Sequence, residues 1–143
     1  MGPTDRAAVA ALVRQLGYQA TDDEVEQRIV DVLARPDHLA LVAEFGVVIG
    51  WIHAYEVVLL EDPVAVEIGG LVVSDTARRR GSGSLLMAAA ERWAMERGIP
   101  RVRLRSNAKR KRAHRFYRAL GYTEIKRSLI FYKDLRADPG ATA

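Results

Sequence analysis

Apolar residues recur at helical spacing over the first part of the chain, and this spacing predicts two consecutive helices. The first helix ends at Gly17, and the second begins at the capping-box pair Thr21 and Glu24 and ends before Pro36. The apolar positions of the two stripes are Ala8, Leu12, Val13, Leu16, Val25, Ile29, Val32 and Leu33. Each stripe gives its helix one face suited to burial.

Runs rich in Val and Ile come next and predict the beginning of a sheet. Residues 39–44 and 47–58 are two such runs on either side of Phe45 and Gly46, which is the signal for a hairpin with a short turn. Residues 64–73 predict a long strand. Its adjacent glycines, Gly69 and Gly70, predict a bulge or a close approach of another group to the backbone.

The remaining pattern predicts a helix from Leu85 to Gly98, a strand over residues 102–105, a fourth helix capped by Gly121 and a closing hairpin. The hairpin would join residues 122–126 to residues 129–135, and the tail from residue 137 is expected to fray. This order predicts an α/β (α+β) fold, in which a mixed sheet carries helices on both faces.

Length and composition narrow the class of protein. The 143 residues, 49% of them hydrophobic, predict a single domain over residues 1–143. The chain has no cysteine, which excludes disulfides and a cysteine nucleophile, and no metal site is expected. No apolar run approaches the roughly 20 residues of a membrane span, and the start lacks the pattern of a signal peptide. We therefore expect a cytoplasmic protein with no membrane partner.

The net charge of +4 is unevenly distributed, since most Lys and Arg residues lie between Arg78 and Arg118. This basic cluster could be a solvated face, a nucleic-acid-binding surface or a surface that attracts an anionic cofactor. We favour the surface for an anionic cofactor. A nucleic-acid-binding module would carry stacking aromatic residues among the charges, but residues 101–112 contain none. Nucleic acid is therefore the less favoured partner.

A glycine-containing loop between a predicted strand and a predicted helix has the composition of a phosphate-binding loop. Its sequence is Arg78-Arg79-Arg80-Gly81-Ser82-Gly83. Glycines allow a positive φ and a close approach of backbone N–H groups to an anion, and the start of a helix adds partial positive charge. The loop has neither the third Rossmann glycine, since Leu86 stands there, nor the Gly-Lys-Ser/Thr of a Walker A motif.

The R-x-x-G-x-G pattern resembles the coenzyme A loop of the GCN5-related N-acetyltransferase (GNAT) superfamily. A second motif resembles that family's A-x-x-F-Y-x-x-x-G-F/Y segment and consists of Ala113, Phe116, Tyr117, Gly121 and Tyr122. The resemblance covers about residues 40–136. It implies a GNAT-like, mostly antiparallel central sheet, acetyl-CoA as the cosubstrate and transfer of an acetyl group to a primary amine.

The resemblance also implies where the cofactor binds. The backbone of Leu71, Val72 and Val73 would pair with the pantetheine arm, and the N–H of Leu71 would polarise the thioester carbonyl. The pyrophosphate would be held by Arg78, Arg79, Arg80, Gly81, Ser82, Gly83 and Ser84. The family often has an asparagine seven residues before its catalytic tyrosine, but Arg110 stands there in this chain, so both Arg110 and the earlier Asn107 are candidates.

Two side chains are candidates for proton transfer. Tyr117 has the position of the tyrosine that protonates the leaving thiolate in the family, although a single tyrosine on a helix face is more often a core residue. Glu67 has the position of the glutamate that histone acetyltransferases of the family use as general base. Its alternatives are a solvent-facing carboxylate and an ion pair with an arginine, and His53 and Glu56 are lesser candidates for the base.

Two features leave alternatives open. Family members usually begin with a strand, but residues 1–4 are too short and too rich in Gly and Pro for one. The first edge of the sheet is therefore either shortened or covered by another element or subunit, as in a homodimer.

The acidic residues that suit a cationic acceptor, such as a polyamine or an aminoglycoside, are Asp22, Asp23, Glu24, Glu26, Glu56, Glu61 and Asp62. They suit a solvated surface and helix starts equally well. A protein N-terminus or lysine is the alternative acceptor.

Overall fold

The computed structural model describes residues 1–78 and 81–136, which fall into two compact units that divide after Asn107. The helices of the first unit are α1 (Arg6–Gln15), α2 (Asp22–Leu33) and α3 (Ser82–Glu96). Its strands are β1 (His38–Phe45), β2 (Val47–Val57), β3 (Ala65–Val73) and β4 (Val102–Leu104). The second unit contains α4 (Lys111–Ala119). Short 3-10 turns occupy Pro3–Asp5 and Asp75–Ala77.

The capping box at the start of α2 is confirmed. The hydroxyl of Thr21 accepts the N–H of Glu24 at 3.1 Å, and the carboxylate of Glu24 accepts the N–H of Thr21 at 3.0 Å. The two bonds satisfy backbone donors that a helix start otherwise leaves unpaired. Helices α1 and α2 then bury a shared cluster that consists of Val9, Ala10, Ala20, Val25 and Ile29.

The four strands form one mixed sheet in the order β1-β2-β3-β4. The β1–β2 and β2–β3 pairs are antiparallel and the β3–β4 pair is parallel, which confirms the expected mostly antiparallel sheet. The hairpin between β1 and β2 turns at Gly46, whose φ is +74°. This left-handed conformation suits glycine because it has no Cβ.

Helices cover both faces of the sheet, as expected. Val42 and Trp51 lie on the face that packs against α1 and α2. On the other face, a Cβ atom on Gly50 would lie 3.5 Å from Leu86 of α3. Before α1 the chain forms the turn at Pro3–Asp5 instead of a strand, so in the described part of the chain β1 is the edge of the sheet. The expectation of a missing first strand is confirmed.

The predicted closing hairpin is wrong for the described residues, because no strand occurs between residues 122 and 136. The apolar side chains of this segment, Ile125, Leu129, Ile130, Phe131, Tyr132 and Leu135, are between 65% and 93% exposed. Alternating apolar residues favour a strand only when a partner strand satisfies the backbone groups. The structure assigns this segment no such partner. The tail predicted to fray lies outside the described residues.

We predict that Gly70→Ala destabilises the sheet, because the added Cβ would lie 2.7 Å from Cη2 of the Trp51 indole. Overpacking of this kind costs about 1–3 kcal/mol, which urea unfolding measures. Gly2→Ala is the control, since a Cβ there meets nothing within 4 Å. Equal unfolding midpoints for the two variants would contradict the close packing of Trp51 on Gly70.

Candidate active site

Strand β3 contains the bulge that its two glycines predict. Gly70 pairs with His53 and Ile68 pairs with Ala54, so Gly69 is an extra residue with no partner on β2. Aromatic rings lie against both glycines. A Cβ on Gly69 would be 3.0 Å from Nδ1 of His53 and 3.0 Å from Cε1 of Tyr55. Glycine is therefore needed here to let side chains of β2 approach the backbone of β3.

Beyond the bulge, one side of β3 is open. Strand β4 pairs only with Val66, Glu67 and Ile68, so in the described part of the chain the rest of β3 pairs with β2 alone. The N–H of Ser74 bonds to Ile49 of β2 at 2.7 Å. Backbone groups of alternate residues point to the same side of a strand, so Val72 also faces β2, while Leu71 and Val73 face the open side. Leu71 thus presents its backbone where a further strand would pair.

A glutamine that the sequence reasoning missed lies at the end of this open side. The side chain of Gln15 donates to the carbonyl of Val73 at 2.9 Å and accepts the N–H of Asp75 at 3.1 Å. Gln15 is the last residue of α1, and nothing in its local sequence indicates a partner 58 residues away. The contact ties α1 to the end of β3 and occupies the carbonyl of one predicted cofactor-binding residue.

The predicted phosphate loop leads into the start of α3. Gly81 is the N-cap of the helix and has a φ of +76°, which confirms its predicted left-handed conformation. Ser82, Gly83 and Ser84 form the first turn, where backbone N–H groups have no acceptor within the helix. Gly83 is helical and does not have a positive φ.

Arg78 is the described arginine of this loop. It forms an ion pair with Asp75 at 2.7 Å, and its side chain is 38% exposed. Arg79 and Arg80, also predicted to hold the pyrophosphate, lie outside the described residues. An anion near Arg78 would therefore compete with Asp75 for the guanidinium.

A row of polar side chains crosses the sheet on the face that α1 and α2 cover. The register places His38, Tyr55, Glu67 and Arg103 side by side on the four strands. Glu67 is only 8% exposed. It accepts the hydroxyl of Tyr55 at 2.7 Å on one carboxylate oxygen and Nε of Arg103 at 2.7 Å on the other. Of the alternatives for Glu67, the structure shows the ion pair.

A second histidine, His53, lies beside His38 of this row. Nδ1 of His38 lies 2.9 Å from Nε2 of His53, and the rings of His38, His53 and Tyr55 stack with centroids 5.1 to 5.5 Å apart. Burial lowers the pKa of both histidines, and for His53 the neighbouring His38 lowers it further. Burial also raises the pKa of the Tyr55 hydroxyl, as does its bond to Glu67. At neutral pH the three rings are therefore uncharged.

The sequence reasoning did not identify His38 or Tyr55. The hairpin that turns at Gly46 brings residues near 38 opposite residues near 55, where His38 and Tyr55 share a face. The bulge between Ala43 and Glu44 shifts that register by one residue, so counting back from the turn would have given the wrong face.

Most acidic residues proposed for a cationic acceptor are ion-paired. Arg6 bonds to Asp23 at 2.9 Å and to Glu26 at 2.7 Å. The other pairs are Arg14 with Asp22 at 3.5 Å, Arg97 with Glu56, and Arg101 with Asp62 at 3.0 Å. Glu24 serves the capping box. These contacts match the interpretation as surface and helix-start charges, and they also engage arginines of the basic cluster.

In the second unit, Tyr117 lies half-buried on α4. Its ring meets Phe116 and Tyr122 edge to face, with centroids 5.2 and 6.2 Å away. Burial raises the pKa of the Tyr117 hydroxyl against the opposing effect of Arg110, which is the N-cap of α4. The phenol therefore holds its proton at neutral pH, as a general acid must. Asn107 is the last residue of the first unit.

Comparison with known proteins identifies the family. The sequence profile described as "Acetyltransferase (GNAT) family" matches residues 7–122. The chain belongs to the GNAT family. It is 34% identical to the aminoalkylphosphonate N-acetyltransferase of Salmonella typhimurium over 114 residues, which are 79% of this chain and 72% of that protein.

Solved GNAT-type acetyltransferases share the fold. AAC(6')-Iy in complex with the bisubstrate analog CoA-S-monomethyl-acetylneamine has a TM-score of 0.81 at 22% identity, over 94% of this chain and 95% of its own. The aminoglycoside 6'-N-acetyltransferase AAC(6')-IG from Acinetobacter haemolyticus has a TM-score of 0.81 at 20% identity, over 94% and 96% of the two chains.

Membership of the GNAT family establishes the general activity of this protein. It is an N-acetyltransferase with acetyl-CoA as the cosubstrate. Within the described ranges, no three His, Asp or Glu side chains are grouped so that they could hold a metal ion. No helix over those residues is long and apolar enough to span a bilayer.

Proposed function

We propose that this GNAT protein transfers the acetyl group of acetyl-CoA directly to the primary amine of a small molecule. The observation that carries the proposal is the open side of β3, on which Leu71 presents its backbone, immediately after the bulge and before the start of α3. An extended arm of a ligand can form hydrogen bonds with the backbone groups along this edge. The anionic end of the same ligand can bind at the N-terminus of the helix.

In this proposal the cofactor contacts follow the chain. Leu71 and Val73, whose backbone groups face the open side, bind the pantetheine arm on either side of Val72, and the N–H of Leu71 polarises the thioester carbonyl. The pyrophosphate is held by Arg78, Arg79, Arg80, Gly81, Ser82, Gly83 and Ser84. Asn107 and Arg110 supply further contacts. The support comes from the left-handed Gly81, the position of the first turn of α3 and the open side of Leu71.

The proposed chemistry is a direct displacement. The amine nitrogen forms a bond to the acetyl carbon, the bond from that carbon to sulfur breaks, and Tyr117 gives its proton to the departing thiolate. A base takes one proton from the amine. Glu67 is the base that the resemblance implies, and its carboxylate already accepts hydrogen bonds from Tyr55 and Arg103.

Two chemical classes of acceptor are candidates. A cationic amine, aminoglycoside- or polyamine-like, is the class that the acidic residues suggested, although most of those acids are ion-paired. The aminoalkylphosphonate acetyltransferase at 34% identity favours an amine that also carries an anionic group. Arg105, which is 67% exposed and 4.0 Å from Glu67, supplies a cation for such a group.

A homodimer, a protein acceptor and a cytoplasmic location stay predictions from the sequence.

A panel of amines tests the function and separates these classes. We expect release of free thiol from acetyl-CoA with an aminoalkylphosphonate, spermidine or kanamycin, with a higher kcat/KM for one of them than for a lysine-containing peptide. Preference for the peptide would indicate the protein acceptor instead. Salt-dependent binding of DNA, without binding of coenzyme A, would favour the nucleic-acid-binding alternative.

We predict that Gly81→Ala weakens coenzyme A binding, because a Cβ at a φ of +76° strains the N-cap of α3 and moves its N–H groups. The expected loss in calorimetric Kd is about tenfold, which corresponds to ~1.4 kcal/mol. Gly98→Ala is the matched control, since Gly98 has a φ of +73°, is equally uncrowded and follows the other end of α3. Unchanged affinity in Gly81→Ala would remove the loop from the cofactor site.

We predict that Tyr117→Phe lowers kcat by about 100-fold without changing the Kd of coenzyme A, because the variant lacks the proton for the leaving thiolate. Tyr132→Phe, at a site that is 93% exposed in the same unit, should turn over like wild type. Wild-type turnover by Tyr117→Phe would show that another group or water protonates the sulfur.

A further inference from the structure

We propose that His53 is the general base that takes the proton from the acceptor amine, and that His38 is a positioning residue that fixes the tautomer of His53. The inference rests on the proposed acetyl transfer and names the base for it. It is carried by the position of the two imidazoles over the bulge of β3 and by the hydrogen bond between them.

His53 lies next to the proposed reaction centre. It pairs across the sheet with Gly70, the residue before Leu71. Its Nδ1 lies 3.0 Å from the position that a Cβ on Gly69 would take, closer than any other atom of the His53 ring. An amine that attacks a carbonyl held by the N–H of Leu71 must approach this part of β3. Nδ1 of His53 is therefore the imidazole nitrogen that is directed towards the bulge.

The contact between the histidines selects one tautomer. At 2.9 Å, one nitrogen must carry a proton and the other a lone pair. The carboxylate of Asp37 lies 3.9 Å from Nε2 of His38 and favours a proton there. Nδ1 of His38 then accepts, and Nε2 of His53 donates. The lone pair of His53 is left on Nδ1, on the side of the bulge.

The surroundings keep His53 uncharged before the reaction. Burial and then His38 lower its pKa. At His38, burial and the more distant Arg35 lower the pKa, against the opposite effect of Asp37. Tyr55, stacked on both rings, is itself uncharged and donates its hydroxyl proton to Glu67. At neutral pH the base is thus already in its accepting form.

The proton balance is complete. As the bond from nitrogen to the acetyl carbon forms, the amine proton passes to Nδ1 of His53, and the resulting imidazolium keeps its bond to His38. The sulfur receives its proton from Tyr117. In this scheme Glu67 is a positioning residue, because its contact with Tyr55 holds the ring that stacks on the histidines.

The pH dependence of kcat/KM tests the assignment. His53 must be neutral to act, and its pKa lies below the ordinary value of 6.5, so wild-type kcat/KM, calculated on the concentration of uncharged amine, should rise with pH through that pKa and then level. His53→Gln keeps an amide near the position of Nε2 but lacks Nδ1. We expect about a 100-fold lower kcat/KM, no rise at acid pH and an unchanged Kd for coenzyme A.

Three variants separate the base from structural roles. Glu67→Gln should keep the acid-side rise, and His114→Gln should resemble wild type. His38→Asn, which places an amide oxygen near the position of Nδ1, should retain activity, whereas His38→Leu should lower kcat with little change in KM. An acid-side rise that persists in His53→Gln and disappears in Glu67→Gln would overturn the inference and make Glu67 the base.

A measurement on the wild-type protein does not depend on the folding of any variant. Nitrogen-15 NMR of the histidines should show the His53 proton on Nε2 and a bare Nδ1, and a proton on Nδ1 would overturn the inference. Wild type that releases no thiol with any amine would refute the proposed function itself. Wild-type turnover together with full activity of His53→Gln would refute the assignment of the base alone.

Discussion

The end of the pairing between β3 and β4 at Ile68 is the constraint on which the rest of the site depends. Because β4 pairs with only three residues, the continuation of β3 has hydrogen-bonding groups on one side that the described sheet does not use. The bulge at Gly69 lies at this point of separation. One interruption of regular pairing therefore gives both an edge for a ligand and a gap in the side-chain layer, into which His53 and Tyr55 fit.

The polar row across the four strands is the second determinant of the site. The register of the sheet fixes His38, Tyr55, Glu67 and Arg103 as neighbours, and their hydrogen bonds and ion pair compensate for their burial. A row of this kind is sensitive to the loss of one member, because each partner left behind would be buried and unsatisfied. It holds its side chains in one arrangement beside the bulge.

Local features of the sequence predicted much of this structure. The capping box at Thr21, the turn at Gly46, the bulge at Gly69 and the left-handed Gly81 each depend on the backbone preferences of a few adjacent residues. The ion pairs and the polar row depend on residues from separate elements, such as Arg6 with Glu26 or Glu67 with Arg103, whose proximity only the tertiary fold decides. The hairpin expected over residues 122–135 failed for the same reason, since alternation of residue types does not specify a partner strand.

Gln15 joins α1 to the end of the strand whose open side carries the proposed cofactor site. Its side chain starts from the last turn of α1 and bonds to Val73, the last residue of β3, and to Asp75 in the loop before α3. A change in the tilt of α1 would pull on the peptide groups at the end of this edge. In the proposed function, substitutions that reorient the first helix would therefore also alter the geometry with which the acetyl donor binds.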